Sequence, residues 1–491
     1  MLMFNRFKLI MKQIIIFNVF LALALNLSSQ DSFIKTFERQ GIQTPHSITQ
    51  LNNGNFVVVG KQENQSVNDG AFAACISPTG ELVWWKNLID YDLYYAMSVD
   101  ATNDNNIVLQ GSKELNSNTH IVKLTETGDS AWIHALQIPW KFTYISGIND
   151  TKNRIITTLD GGIASVSTGM YVNQEPEFWN REMFIAKLDA NGDTLWTDMN
   201  NSGVDGLQSR GVDICEDSMG NLYITGWKDG GNASCDFDSY LRKYDSFGNL
   251  IFEKEYYPGY GYSLSLTSDD NILMTTSSFS HNPNGPSGPW LIKVNSTNGD
   301  TIQIKRSFGW DKISSYQVIK KVTNDGFIGI TKQYFEETHY PVITKFNENL
   351  EVEWHKKYLF PYFIDIIPAN NGYALVREDQ GNLSLIIADS TGSFGPTSNI
   401  KELSDNLKKL TIHPNPSYTG VFTIRSTKER PLSLNKIRLT TIQGQEISLK
   451  GILSKQLNGN VLLDINQLDH GTYIVTYENG NKVDAYQMIQ R

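Results

Sequence analysis

The sequence predicts an all-β chain, with seven four-stranded antiparallel units of about fifty residues followed by a small β-sandwich. Three observations carry that reading. An eight-residue pattern recurs seven times, and a second, Asn-rich turn recurs upstream of each copy. No segment of helical period interrupts the strands between them.

The recurring octet reads "SPTGELVW" from Ser77, "TETGDSAW" from Thr125, "DANGDTLW" from Asp189 and "DSFGNLIF" from Asp245. Weaker copies start at Ser296, Asn347 and Asp389, so the spacing runs from 42 to 64 residues. Asp189, Asn191 and Asp193 alternate as cation ligands would. Between copies, however, the acidic residues come and go, while glycine holds the fourth position in six copies and an aromatic the eighth in five. A calcium loop would keep its carboxylates, and an EF-type loop places its glycine two positions further on. The octet is therefore a hairpin turn ending on an aromatic anchor, and no metal site is expected. A short strand precedes each copy, and lysine recurs near its end at Lys123, Lys187, Lys243, Lys293 and Lys345. These lysines are expected to snorkel at the sheet edge.

The upstream turns read "NNGN", "NDNN", "TKNR", "SMGN", "SDDN", "NDGF" and "NNGY", each followed by a β-branched or aliphatic run such as "FVVVG" or "LYITG". Asn-Gly and Asp-Gly supply the positive φ that two-residue hairpins require. Each unit thus holds strands A and B around the first turn, then C and D around the octet. Seven such units predict a seven-bladed β-propeller. The seventh unit lacks a D strand, and the stretch from Ser32 to Glu38 resembles one. It is expected to pair as the outer strand of the last blade, which removes an open sheet edge. The glycine-to-tryptophan spacing resembles the tryptophan-docking repeat of quinoprotein-like, WD40-like propellers. Trp84, Trp132, Trp196 and Trp354 match it, with Phe252 as a substitute. The resemblance implies that each ring wedges between neighbouring blades. Those enzymes hold a quinone with adjacent cysteines and calcium ligands. Cys75, Cys215 and Cys235 are far apart, so no cofactor carries over. The repeat puts Cys215 and Cys235 on non-adjacent strands, too far apart for a bridge, and three free, buried cysteines are expected.

Residues 1–30 read as a signal peptide, with positive charge before the apolar run Ile14 to Leu27. That run is short of the ~20 residues a membrane helix needs, and no transmembrane helix is expected. The propeller then spans 31–396, with a linker over 397–409 and a last domain over 410–491. The last domain opens on Pro414, Asn415 and Pro416, followed by Gly420. It continues with "TTIQGQEI" around Gly444 and "LDHGTYIV" with Leu468, Gly471 and Tyr473. It resembles the C-terminal sorting domain (type A) of type IX secretion cargo, although threonine (Thr440, Thr441) replaces the acidic residue usual before the central glycine. The resemblance implies type IX secretion machinery as a partner. It also implies periplasmic transit, removal of this domain, and a product that is secreted or held at the outer cell surface.

A net charge of −10 with no basic stripe excludes nucleic acid as a partner. No H-E-x-x-H or G-x-S-x-G motif occurs, and the eight histidines show no ligand spacing. The longest connections, "DGGIASVSTGMYVNQEPEFWNRE", "KDGGNASCDFD" and "SFSHNPNGPSGP", belong to consecutive units and to one face of the ring. Variable loops on a rigid scaffold are where binding resides. Tyr171, Trp179, Trp227, Tyr260, Tyr262 and Trp310 are the candidate ligand-binding residues, because aromatics beside Asn, Asp and Gly suit sugar stacking or peptide capture. The expected function is non-catalytic binding of glycan or protein by an exported monomer without a cofactor. The alternative is a propeller hydrolase or lyase acting on polysaccharide, with carboxylates drawn from distant blades.

Overall fold

The computed structural model describes residues 32–63, 70–91, 93–113, 119–136, 154–172, 179–199, 209–229, 237–256, 259–278, 288–306, 313–322, 326–335, 338–358, 363–370 and 372–394. In the C-terminal part it describes 410–413, 417, 419–426, 436–441, 446–449, 453–457, 460–469, 471–479 and 482–490. Nine four-stranded antiparallel sheets account for these residues, seven of them N-terminal to residue 390.

The first strand is β1 (Phe33–Phe37). Sheet one is β2 (Ile42–Gln50), β3 (Phe56–Glu63), β4 (Gly70–Ile76) and β5 (Leu82–Asn87). Sheet two is β6 (Tyr95–Ala101), β7 (Ile107–Ser112), β8 (Thr119–Leu124) and β9 (Ser130–Ala135). Sheet three is β10 (Arg154–Thr157), β11 (Ile163–Val172), β12 (Trp179–Leu188) and β13 (Thr194–Met199). Sheet four is β14 (Ser209–Glu216), β15 (Leu222–Asp229), β16 (Phe237–Tyr244) and β17 (Leu250–Tyr256). Sheet five is β18 (Tyr260–Leu266), β19 (Ile272–Ser278), β20 (Gly288–Val294) and β21 (Thr301–Arg306). Sheet six is β22 (Ile313–Lys321), β23 (Phe327–Phe335), β24 (Thr338–Phe346) and β25 (Val352–Lys357). Sheet seven has β26 (Asp365–Ala369), β27 (Gly372–Asp379) and β28 (Asn382–Asp389), and its fourth strand is β1, with Phe33 opposite Ile387 and Phe37 opposite Leu383.

The first strands of successive sheets touch in turn, β2 on β6, β6 on β10, β10 on β14, β14 on β18, β18 on β22 and β22 on β26. Strand β26 then touches β2, so the strands close around an axis in the manner of a β-propeller. The sheets meet along buried apolar clusters. Between sheets one and two, for example, the cluster holds Val57, Val59, Ala73, Leu109 and Val122, all fully buried.

Both hairpins of a sheet use one turn design. In the first octet Ser77 N–H donates to Glu81 O, Gly80 N–H donates to Ser77 O, and Gly80 has φ +84°. The A–B turns follow the same scheme, for example Leu51 N–H to Asn55 O and Gly54 N–H to Leu51 O, with Gly54 at φ +89°. In sheets one to five these A–B turns are three-residue turns with one left-handed position, a type I turn followed by an αL residue, where two-residue turns were expected. In sheet seven, by contrast, Ala369 lies opposite Gly372 across a two-residue connection, as expected. The first residue of the octet alternates among Ser, Thr, Asp and Asn because its side-chain oxygen caps the turn. Ser77 Oγ accepts the N–H of Glu81, Thr125 Oγ1 that of Asp129, and Asp189 Oδ1 those of Asn191 and Asp193. Any short acceptor serves, which is why the carboxylates come and go.

The aromatic of one octet packs on the glycine of the next. A Cβ built on Gly128, Gly192, Gly248, Gly299 or Gly392 would lie 2.6–3.0 Å from the ring of Trp84, Trp132, Trp196, Phe252 or Trp354. The indole N–H of Trp84 donates to Glu126 O at 2.8 Å and that of Trp196 to Ser246 O at 3.2 Å. At the ring's joint, Phe33 of β1 takes the same place on Gly80, 2.7 Å from such a Cβ. Where the aromatic is missing, the glycine is missing too: Gln303 precedes the turn in which Leu350 adopts φ +59°. Lys123, Lys187 and Lys293 reach an aspartate of their own sheet's A–B turn, Asp104, Asp160 and Asp269, at 3.4, 2.9 and 2.9 Å. Lys187, Lys243 and Lys345 are buried and do not snorkel to solvent: Lys187 is held by Asp160, Lys243 donates to Ser296 O at 2.9 Å and Lys345 to Glu353 at 3.0 Å. Cys75 and Cys215 are free thiols, raised by burial, and Cys235 lies outside the described residues.

The C-terminal residues form two further sheets, one with strand order β29 (Leu410–His413), β30 (Val421–Ser426), β34 (Asn460–Asp464) and β33 (Leu453–Leu457). The other is β32 (Glu446–Ile447), β31 (Ile437–Thr441), β35 (Gly471–Asn479) and β36 (Lys482–Gln490). Phe422, Ile424 and Leu463 of the first share one buried core with Ile437, Leu439 and Val475 of the second.

Candidate functional site

The B–C and D–A connections lie at the opposite ends of the strands from the turns just described. In sheet three, the stretch expected as a long loop is mostly a hairpin. Pairing between β11 and β12 continues from Ile163 opposite Leu188 to Val172 opposite Trp179. Tyr171, opposite Asn180, and Trp179 therefore stand at the far end of this hairpin. Trp310 lies outside the described residues.

The structure brings Trp227, Tyr260 and Tyr262 together where sheet four meets sheet five. Trp227 stands edge-to-face with Phe237 (4.7 Å) and Tyr260 (5.2 Å), and the Arg210 guanidinium lies 4.5 Å over its ring. Trp227 is 6% exposed, so its ring is committed to packing, while Tyr260 and Tyr262 stay half-buried with 6.3 Å between their centroids. Tyr262 sits in a bulge, because the pairing of β18 with β19 skips it between Gly261 and Ser263. Matching bulges skip His46, Met97 and Val212 in β2, β6 and β14. The glycines that end "FVVVG", "IVLQG" and "LYITG" make room for them. A Cβ on Gly60, Gly111 or Gly226 would lie 1.7–2.2 Å from the carbonyl oxygen of Thr44, Tyr95 or Arg210. Bulges of this kind re-aim a side chain beside a site.

At the axis, one position recurs four residues before the end of each A strand or its turn: Ser47, Ser98, Arg154, Asp213, Ser263, Val318 and Asp365. Its polar side chains accept N–H groups from the next sheet's inner strand. Ser98 Oγ takes Ile155 N–H (3.1 Å), Asp213 takes Leu264 N–H (2.9 Å), Ser263 Oγ takes Ile319 N–H (3.2 Å) and Asp365 takes Ile48 N–H (3.4 Å). Arg154 spans the axis, with Nε 3.5 Å from Asp213 and Nη1 3.3 Å from Asp365. All three side chains are at most 8% exposed. Burial opposes the guanidinium's charge, but the two carboxylates prevail and hold its pKa above the usual value. No motif announces this cluster. Its signal is the column that appears when the repeats are aligned on their turns.

The seam between sheets two and three is unlike the others. Its lower half is aliphatic, with Val108, Ile121, Ile155, Ile163, Phe184 and Leu188. Strand alternation then puts Gln110, Ser112 and Thr119 of sheet two opposite Ser165 and Ser167 of sheet three. Gln110 donates to Val166 O at 3.4 Å. Gln110 Oε1, the Ser112, Ser165 and Ser167 hydroxyls and Thr119 Oγ1 are buried with no hydrogen-bond partner among the described residues. Each such group costs about 1–3 kcal/mol when left unmet.

In the C-terminal part, Gly420 has φ +64° and a Cβ there would lie 2.2 Å from Asn466 Oδ1. Gly471 begins β35, and Tyr473, 7% exposed, donates its hydroxyl to Asp469 O. Pro414, Asn415, Pro416 and Gly444 lie outside the described residues.

Residues 411–490 match the family model of the secretion system C-terminal sorting domain. This segment is a sorting domain of type IX secretion cargo, and it marks the chain for the cell surface or for secretion. No helix among the described residues is long and apolar enough to cross a membrane. No curated protein matches the chain. Among solved structures, the chain is similar to a protein of unknown function from Dyadobacter fermentans DSM 18053. That likeness has 11% identity and a TM-score of 0.38, over 63% of this chain and 96% of that one. It is also similar to the Dos1 propeller, at 8% identity and a TM-score of 0.42, over 72% of this chain and 95% of that one.

Proposed function

We propose that residues 31–396 form a seven-bladed β-propeller that binds a glycan or protein ligand on its long-loop face, without catalysis. On this reading a β-sandwich sorting domain over 410–491, joined by the linker 397–409, delivers it by the type IX route after a signal peptide (1–30) is removed. The observation that carries the binding role is the division of labour between the two ends of the strands. One end repeats one short turn scheme in both hairpins of sheets one to four. The other carries the extended β11–β12 hairpin and the half-buried Tyr260 and Tyr262. Rigid aromatics give contact area at little entropy cost.

A hydrolase or lyase would need a carboxylate able to meet substrate. Asp213 and Asp365, the carboxylates that converge at the axis, are buried, bonded to backbone N–H groups and neutralised by Arg154. That favours binding over turnover. The test is a glycan array and a panel of surface proteins, probed with the chain from Asp31 onward. Tyr260→Ala with Tyr262→Ala, or Tyr171→Ala with Trp179→Ala, should weaken capture by about tenfold or more. Asn191→Ala on the turn face should leave it unchanged. Release of shorter products from any polysaccharide, or loss of capture from the turn-face change alone, would overturn the reading.

A further inference from the structure

We infer that the turn ends of sheets three and four form a docking surface for a protein segment that is basic and carries apolar anchors. This surface lies at the opposite end of the strands from the ligand face proposed above and does not rest on it. Leu159, Met219 and Phe247 are 66%, 82% and 81% exposed, in three short turns whose scheme favours polar residues. Leu159 stands where the turns of sheets one and two have Asn52 and Asn103, and Met219 where they have Asn53 and Asp104. The third octet position, held here by Phe247, is threonine or asparagine in the six other copies. Single exposed apolar residues are ordinary, but these three are neighbours. Leu159 N–H donates to Glu216 Oε2 at 2.7 Å, which ties its turn to the end of β14. A Cβ on Gly220, beside Met219, would lie 3.8 Å from Ser246 Cβ, beside Phe247. With so little of each side chain covered, the fold gains little from them.

Charge selects the partner. The four turns over residues 158–162, 189–193, 217–221 and 245–249 hold five aspartates and no basic residue. The lysines of β12 and β16 do not offset them at the surface. Lys187 is buried against Asp160, and Lys243 is buried on Ser296 O. Among the described residues, Asp189, Asp193, Glu216 and Asp245 form no ion pair. A lysine or arginine brought to this rim therefore gains a carboxylate, while Met219 and Phe247 supply adaptable and aromatic contact area. The same groups count against two other occupants. A second copy meeting the patch across a two-fold axis would set aspartate against aspartate. Three side chains also supply only part of the ~800 Å² per partner that a stable dimer buries. An anionic lipid surface would meet the same repulsion.

The experiment is selection of a displayed library of random dodecapeptides on the chain from Asp31 onward, with the enriched peptides synthesised and titrated by fluorescence anisotropy. The enriched peptides should combine lysine or arginine with a large apolar residue. Leu159→Asn with Met219→Asn and Phe247→Asn installs a residue that other sheets use at these positions, and should weaken the peptides by about tenfold or more. This triple variant should keep or raise the melting temperature. A lower one would mean that the side chains serve the fold, and would overturn the site. Asp189→Asn with Asp193→Asn and Asp245→Asn keeps the capping oxygens of the turns. It should weaken the peptides by about fivefold and flatten their salt dependence. Enriched peptides that are neutral or acidic, or that bind the triple asparagine variant as well as the parent, overturn the proposal. So does a library that yields no more binders on the parent than on that variant. A dimer in light scattering that the variant abolishes makes a second copy the occupant and also overturns it. None of these outcomes touches the ligand reading, because Tyr260 and Tyr262 are unchanged throughout.

Discussion

Arg154→Met is the sharpest test of how the axis is held. The change keeps most of the side chain's volume and removes its charge. Asp213 and Asp365, 3% and 1% exposed, are then left with no cation between them. Breaking a buried ion pair by removing one partner costs about 3–5 kcal/mol. The lower end of that range applies here, because both carboxylates keep backbone and serine donors. Ser263 reaches Asp213 at 2.7 Å, and Ser47 reaches Asp365 at 3.1 Å. A loss of about 3 kcal/mol is therefore expected, read as a lower denaturation midpoint of the mature chain with an unchanged slope. Adding Asp213→Asn and Asp365→Asn keeps the N–H acceptors and removes the stranded charge, and most of the loss should return. A single change costing under about 1 kcal/mol, or a triple variant no better than the single, would refute the claim that the ion triad ties sheets three, four and seven.

Three further outcomes follow from described contacts. Gly248→Ala puts a Cβ 2.6 Å from Trp196 in a residue at φ +90°, and should cost about 2–4 kcal/mol in thermal melts. In a Trp196→Ala background only the backbone strain remains, so the same change should cost about 1–2 kcal/mol there. Phe33→Ala empties the wedge on Gly80 and should cost about 1.5–3 kcal/mol. Hydrogen exchange should speed up first in β1 and in its partner β28. Burial raises the carboxyl pKa of Asp100, against opposing pulls from the Thr157 and Ala101 N–H groups, Lys320 and Thr49. A raised carboxyl favours the fold below its unfolded pKa, and that contribution is lost as pH rises through the folded value. Asp100→Asn should therefore stabilise the protein at pH 7 and change nothing near pH 3, as equilibrium unfolding at the two pH values would reveal.

Much of the ring was legible because its determinants repeat. The octet's glycine and its aromatic are two halves of one contact made between successive sheets, so both recur, and both fail together at Gln303 and Leu350. Turn type was less legible. Asn-Gly fits both a two-residue and a three-residue turn, and register alone separates them, as Leu51 paired to Asn55 makes clear. The segment from Asp160 to Glu182 reads as a long connection because Gly, Ser, Asn and Pro interrupt it, yet β11 and β12 extend through it and bury Ser165 and Ser167. Aromatic character likewise does not tell exposure: Trp227 is buried under Arg210, while Tyr260 beside it is only half covered. The axial triad was invisible in linear order, since Arg154 and Asp365 stand 211 residues apart and meet only because the ring closes. A column of unlike residues carries no motif, and charge complementarity across an axis has no spacing rule.

Strand β1 has one more consequence, for the order in which the protein can be finished. Thr36 shares a hydrogen bond with Ser384, 348 residues further along. Whatever else has folded, the final sheet stays a three-stranded remnant until both stretches are in the same compartment. A contact that distant is slow to form, and a waiting strand offers its bare backbone to any stray neighbour. For a chain marked for the cell surface or for secretion, the ring therefore cannot be completed before Ser384 has joined Thr36 in one place.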